Sequence, residues 1–417
     1  MSDADPRRAD TRAGIYLFAH DLIDEGPGEL LTGLRAHGLD EVVMAAAYHH
    51  SRDLFPHRRE GKVLFLEGGT VYFHPEPARY ADTPLRPSVA AIAARDDPLA
   101  RLAAAAERAG LATSAWVVVC HNSRLGGAHP DCAVESAFGD RLIHSLCPSN
   151  PAVRAYAMAL IGDVARYRLG SIKLEALSFL PFDHGYHHER SFVPLGERDR
   201  FFLGLCFCRH CLAAAAAAGV DGERLRAHVR SEMERVLASV ENEDGRPIEA
   251  ERLRAECDGE LGRYAEVRAA TVSSLAGECV DAVRASSATT RVSFIDHSGA
   301  VLGYATGMPA KATPAVEIGW RDGIAASDLA GRVDALTVLG YFRDRDRLVR
   351  EVRAYREASP SGRLEVLLRP MHPDVRGGED LTAKVEALRP LGVDLGFYHY
   401  GLMRLEALGW IGRALRR

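Results

Sequence analysis

The residues able to do chemistry in this chain are unevenly placed. Three thiols fall at Cys206, Cys208 and Cys211, a C-x-C-x-x-C spacing that lets one short segment wrap a tetrahedral metal ion. Such a site needs a fourth ligand from elsewhere. Cys147, in Leu146-Cys147-Pro148-Ser149, is the best candidate, and His210 and Cys120 are weaker ones. Four thiolates would fill the ligand shell, so the expected ion is a structural zinc with no position left for substrate. Its expected role is to pin a long loop. Cys132, Cys257 and Cys279 have no partner pattern and read as free thiols.

Glu175 is the second feature. It lies in the apolar run Ile172-Lys173-Leu174-Glu175-Ala176-Leu177. A carboxylate there is costly unless it is paired or faces a polar cavity. Lys173 shares its strand face by two-residue alternation, so a structural Lys–Glu pair is one reading. A catalytic acid or nucleophile is the other. The next loop, Asp183-His184-Gly185-Tyr186-His187-His188-Glu189, suits a metal or a sugar, although it lacks a helical H-x-x-x-H spacing.

These residues need a scaffold. Short apolar runs, continuous rather than alternating, recur between helical patterns: Gly14–Ala19, Glu41–Ala47, Thr113–Cys120, Ser171–Ala176, Arg291–Ile295, Ala315–Trp320, Ala335–Leu339 and Leu364–Leu368. Continuous runs mark strands buried on both faces, hence a parallel sheet covered by helices. No G-x-G-x-x-G follows the first run, which argues against a dinucleotide-type open sheet. The expectation is an α/β protein, a (β/α)8 TIM barrel forming one domain over 1–417. A helical insertion over 177–286, carrying the cysteines, follows strand four. The segment Val393–Tyr398 either closes the barrel or competes with the Trp320 strand for a place.

Composition narrows the partners. The 52 Lys and Arg against 57 Asp and Glu give a formal net charge of −5, which disfavours a nucleic-acid binder. No apolar stretch is long enough to span a membrane. Eight cysteines in 417 residues are too sparse for a disulfide framework. The expectation is a cytoplasmic protein with a small-molecule partner. Self-association through the insertion is an alternative to a solvated helix pair.

In a barrel, the C-terminal strand ends form the active-site face. Those ends are rich in polar and aromatic groups: His20-Asp21, Tyr48-His49, His121-Asn122, Glu175, Asp296-His297, Trp320-Arg321-Asp322, Tyr341, Arg369 with His372, and Tyr398-His399. With His184, His188 and Glu189 they suggest an aromatic-lined polar pocket. Arginines and histidines there would bind hydroxyls or an acidic group, and Trp320 and Tyr398 would stack on a ring.

One segment resembles a known family. Cys147-Pro148-Ser149-Asn150-Pro151 opens a helix, a strand bearing Glu175 follows, and Cys206-Phe207-Cys208-Arg209-His210-Cys211 comes next. This order resembles the catalytic barrel of the glycoside hydrolase family 42 β-galactosidases and their uncharacterised glycoside-hydrolase-like relatives. The resemblance spans about residues 140–215. It implies that Cys147, Cys206, Cys208 and Cys211 hold a structural zinc and that Glu175 is the general acid/base. Two departures stand out. The family has Asn-Glu at strand four, whereas Leu174 precedes Glu175 here. The family's nucleophile is a Glu ending strand seven, and Thr337-Val338-Leu339-Gly340-Tyr341, read as that strand, has no carboxylate.

Glycoside hydrolysis normally needs two carboxyl groups across the scissile bond. Asp296 is the expected second, because it ends the adjacent strand beside His297. Asp322, Asp183, Asp21 and Asp374 follow, and Tyr341 is an alternative nucleophile. The expected activity is hydrolysis of a small glycoside or oligosaccharide. The alternatives are a non-catalytic carbohydrate-binding barrel and a lyase or isomerase using the histidines.

Overall fold

The computed structural model describes residues 11–183, 190–239, 250–301 and 313–416. Eight of its strands form a closed parallel barrel: β1 (Ala13–Leu17), β2 (Glu41–Tyr48), β3 (Ala112–Val118), β4 (Ser171–Glu175), β5 (Arg291–Asp296), β6 (Ala335–Leu339), β7 (Arg363–Leu368) and β8 (Asp394–Phe397). Neighbours pair in chain order, and β8 closes on β1 with Ala13 opposite Leu395. All eight residues of β2 are buried, as expected of a strand covered on both faces. Closure gives each of the eight strands a neighbour on both sides.

One expected strand is a helix. Ala315–Ile318 forms a helical turn that continues as the 3-10 segment Gly319–Asp322. Its first amide, Ala315 N, donates to Glu351 Oε1 on the helix Arg345–Ala358 at 2.7 Å. The place expected for Trp320 in the sheet belongs to 394–397. The chain order therefore shifts: 335–339 is strand six and 363–368 is strand seven. Strand seven runs into Leu367-Leu368-Arg369, so it too ends without a carboxylate.

The lower barrel is filled by a polar layer. Lys173 Nζ reaches Glu365 Oε1 at 2.7 Å and Glu41 Oε2 at 3.3 Å. Thr337 Oγ1 donates to Glu365 Oε2 at 2.8 Å, and Ser114 Oγ donates to Glu41. All three ionised side chains are buried, which is tolerable only with this mutual pairing. Gly396 makes room for it: a Cβ there would stand 2.8 Å from Glu365 Oε1 and 2.7 Å from Leu367. Lys173 thus pairs with Glu41 and Glu365, not with Glu175.

Between β4 and β5 lie the helices Glu197–Gly204, Arg209–Ala217, Gly222–Ala238, Ala250–Arg254 and Glu260–Ser286. The last packs along helix Pro151–Ala165, where Arg154 binds Glu278 and donates to Ser274 Oγ at 3.0 Å. Among the described residues, no single helix is long and apolar enough to cross a membrane.

Candidate active site and metal centre

Alternation along β4 decides which groups enter the lumen. Ser171 and Lys173 point inward into the polar layer, and so Glu175 does as well, one layer nearer the C-terminal mouth. Its Oε2 accepts a hydrogen bond from Trp116 Nε1 of β3. Burial pushes the Glu175 carboxyl up to about 7, and the Trp116 bond opposes that rise. Among the described residues, no second carboxylate perturbs it. The group therefore titrates near neutrality, the range suited to a general acid or base.

Aromatic rings surround this carboxyl. The Trp116 ring meets Tyr48 at 4.7 Å, Tyr16 at 5.6 Å and Tyr398 at 5.9 Å between centroids. The Tyr48 and Tyr398 hydroxyls are hydrogen-bonded, and burial raises the Tyr48 phenol well above its ordinary value, with Tyr398 and Glu175 adding to the rise. Tyr341 lies 5.9 Å from Tyr398, and the Arg369 guanidinium sits 5.1 Å over the Tyr341 ring. Arg369 is held by Asp374 Oδ2 at 2.5 Å. His49 stacks between Tyr48 at 4.1 Å and His121 at 4.3 Å. The structure thus groups Glu175, Tyr341, Tyr398, Arg369, His49 and His121 in one chain of contacts around the mouth.

Other expected members lie elsewhere. Asp296 does not face Glu175. The register sets Leu174 opposite Phe294, so the next position opposite Glu175 is Ile295, and Asp296 falls on the outer face. There it accepts a bond from Tyr355 Oη, on helix Arg345–Ala358, at 2.6 Å and from Ser298 N at 2.9 Å. Burial raises its carboxyl above the usual range. Asp21 and Asn122 satisfy backbone amides at helix starts, Asp21 from the third helical position back to the N-cap Phe18 and Asn122 as the N-cap itself. Asp21 Oδ2 accepts from Phe18 N at 2.8 Å, and Asn122 Oδ1 accepts from Leu125 N at 2.9 Å. Trp320 packs on Phe201 at 5.5 Å and lies under Arg254 at 5.2 Å. Arg321 lines a separate cavity described below. His20 lies on the helix Ala19–Glu25, 6.0 Å from Tyr72, and burial with the nearby Arg58 lowers its imidazole to about 4. His372 is exposed. His184, His188 and Glu189 lie outside the described residues.

Sequence reading named Tyr48 at the end of β2 but missed Trp116 and Tyr16, whose rings lie in the same cluster. Trp116 had a usable signal: it lies two residues after Ser114 on β3, on the face that turns inward.

The four cysteines converge away from the mouth. Cys147 Sγ lies 3.6 Å from Cys208 Sγ, 3.5 Å from Cys211 Sγ and 3.7 Å from Cys206 Sγ. All four are buried, and their sulfurs lie within 4.8 Å of one another. These separations exceed a disulfide bond of about 2.05 Å, so the thiols are free to hold a metal ion together. Cys147, not His210 or Cys120, completes the set. Phe207 N donates to Glu135 O at 2.7 Å and its ring stacks on Tyr264 at 5.5 Å, so the cluster joins the hairpin of 133–146 to helix Glu260–Ser286.

No protein-family model and no curated protein sequence matches the chain. Solved structures do. A β-galactosidase from the psychrophilic Marinomonas ef1 superposes with a TM-score of 0.56 at 12% identity, covering 97% of this chain and 59% of that one. A catalytic mutant of Gan42B, a GH42 β-galactosidase from G. stearothermophilus, gives 0.55 at 10% identity, covering 97% and 56%. α-L-Fucosidase isoenzyme 2 from Paenibacillus thiaminolyticus gives 0.54 at 14% identity, covering 98% and 49%. The chain therefore spans between about half and three fifths of each of these structures. At such identities the likeness is one of fold: the chain shares the TIM barrel of the glycoside hydrolase family 42 β-galactosidases.

Proposed function

We propose that the protein is a glycoside hydrolase acting on a small glycoside or oligosaccharide, with Glu175 as its general acid. The observation that carries this reading is the Glu175 carboxyl itself. It is half-buried at the end of β4, held by Trp116 and poised at about 7. Protonated near neutrality, it can deliver a proton to a leaving-group oxygen. Tyr48, Tyr398, Tyr341, His49 and Arg369 supply hydroxyl donors and apolar ring faces of the kind sugars use. The glycosidase fold of the solved neighbours is consistent with this class of activity.

The orientation of Asp296 favours a second reading. With that carboxylate committed to Tyr355, no second carboxylate acts on Glu175 among the described residues. A carbohydrate-binding barrel without turnover fits that arrangement. A panel of nitrophenyl glycosides assayed with the wild type and Glu175→Gln separates the two. The hydrolase reading requires turnover that the variant loses. Saturable sugar binding with no turnover in either protein favours the second.

We also infer that the cysteine cluster holds zinc. A Zn–S bond of about 2.3 Å sets tetrahedral sulfur–sulfur edges of about 3.8 Å, and the observed 3.5–3.7 Å separations from Cys147 approach that. The ion would cross-link loops and take no part in the reaction. A cytoplasmic location, where thiols stay reduced, fits the same chemistry.

A further inference from the structure

A second polar cavity lies outside the barrel lumen. It encloses about 120 Å³ and is walled by the loop after β4, helix Glu197–Gly204, helix Glu260–Ser286, the turn after β5 and the 3-10 segment Gly319–Asp322. Leu180, Phe201 and Ile318 supply its apolar walls, and Arg268, Ser298, Arg321 and Asp322 its polar ones.

We propose that this cavity binds a small oxyanion between the guanidinium groups of Arg268 and Arg321. Arg268 is only 3% exposed, yet its Nε finds no acceptor among the described residues. Its Nη1 donates to Arg321 O at 2.7 Å, and the guanidinium lies 4.4 Å from the Phe179 ring centroid, so the group is fixed in place. Arg321 Nε is likewise buried without an acceptor. A guanidinium left this way carries a large desolvation cost, which an oxygen ligand would offset.

The acids on the walls do not fill this role. Asp183 is engaged by Arg200 at 2.7 Å, and Glu197 by Arg321 Nη1 at 3.5 Å. Asp322 accepts no side-chain hydrogen bond among the described residues. Burial raises its carboxyl to about 7, Asp296 from β5 adds to the rise, and Arg268 and Arg321 oppose it. Below neutrality Asp322 is protonated and donates. The hydrogen-bonding capacity left over is then mostly donor, which suits an anion and not a cation. A cavity of about 120 Å³ has room for a carboxylate or a tetrahedral oxyanion.

Calorimetric titration of the full chain with sodium sulfate and with sodium acetate, at low ionic strength with sodium chloride as control, tests this. Neither probe changes its charge between pH 6 and 8. Saturable one-site binding of either anion, absent for chloride, is expected. A preference for sulfate identifies a free tetrahedral oxyanion as the ligand class, and a preference for acetate an organic carboxylate. Arg321→Gln should weaken binding at least tenfold, and Ser298→Ala, the milder change at the opposite wall, should weaken it severalfold. Affinity should fall from pH 6 to 8 as Asp322 ionises, and Asp322→Asn should remove that dependence. No saturable binding of either anion, or unchanged affinity in folded Arg321→Gln and Ser298→Ala, overturns the proposal. None of these readouts involves turnover, so the outcome is independent of the role given to Glu175.

Discussion

Trp116 and Glu175 meet diagonally across the β3–β4 pair. The register sets Trp116 opposite Lys173, and its indole N–H reaches one step up the lumen to the Glu175 carboxylate. That bond favours the ionised form, against the burial that disfavours it. Trp116→Phe keeps an aromatic ring but removes the donor. The Glu175 pKa should then rise by about one to two pH units, since a hydrogen bond to a charged group is worth roughly 1.5–3 kcal/mol. For a general acid, the alkaline limb of the kcat/KM profile moves to higher pH by the same amount. An unmoved limb would contradict the assignment.

The same carboxyl makes stability depend on pH. Its folded value, about 7, lies above its ordinary 4.5. A raised carboxyl favours the folded state fully below about 4.5 and loses that contribution as pH climbs through 7. Asp21 and Asp322, each also raised to about 7 by burial, act in the same direction. The melting temperature should therefore fall from pH 5 to pH 8. Glu175→Gln should melt close to wild type at pH 5 and above it at pH 8, with a gain of at most about 3 kcal/mol. Equal melting of the two proteins at pH 8 is the contrary result.

Asp296→Asn keeps the shape of the side chain and most of its bonding to Tyr355 and Ser298. Because Asp296 lies on the outer face of β5, turnover should stay within a few fold of wild type. The cost should appear in stability, at about 1 kcal/mol for a weakened buried bond. A loss of several orders of magnitude in kcat with unchanged melting would restore Asp296 as the reacting partner of Glu175.

Removing Lys173 strands two carboxylates in the lower barrel. Lys173→Met should destabilise by about 3–5 kcal/mol in urea unfolding, because it leaves Glu41 and Glu365 buried and uncompensated. Adding Glu41→Gln and Glu365→Gln should recover much of that loss. Independent, additive effects in the three variants would argue against a coupled layer.

For the cysteine cluster, elemental analysis should find about one zinc per chain. Cys208→Ser should lose it and lower the melting temperature by several degrees, because the joint between the 133–146 hairpin and helix Glu260–Ser286 then relies on Phe207 and on the Tyr264 hydroxyl bonded to Cys206 O. A metal-free wild type with unchanged stability is the opposing outcome.

Much of this architecture was legible in the chain. Seven of the eight apolar runs read as strands lie in the barrel, because a strand covered on both faces must be apolar throughout. The run 315–320 was not legible, since so short a mainly apolar stretch between Pro314 and Asp322 suits a strand or a helical turn equally. The thiol spacing pointed to the group that Cys147 completes. The partner of Glu175 was misread for a simple reason: two strand ends that look level in sequence differ by one residue in register, and one residue reverses the face. Asp21 and Asn122 looked like site residues because a polar side chain just after a strand is also what starts the next helix.

The layer of Lys173, Glu41 and Glu365 fills the lumen one step below Glu175 with charges already paired to one another. A molecule reaching the Glu175 carboxyl would therefore have to arrive from the C-terminal side of the barrel, past the rings of Tyr48 and Tyr398.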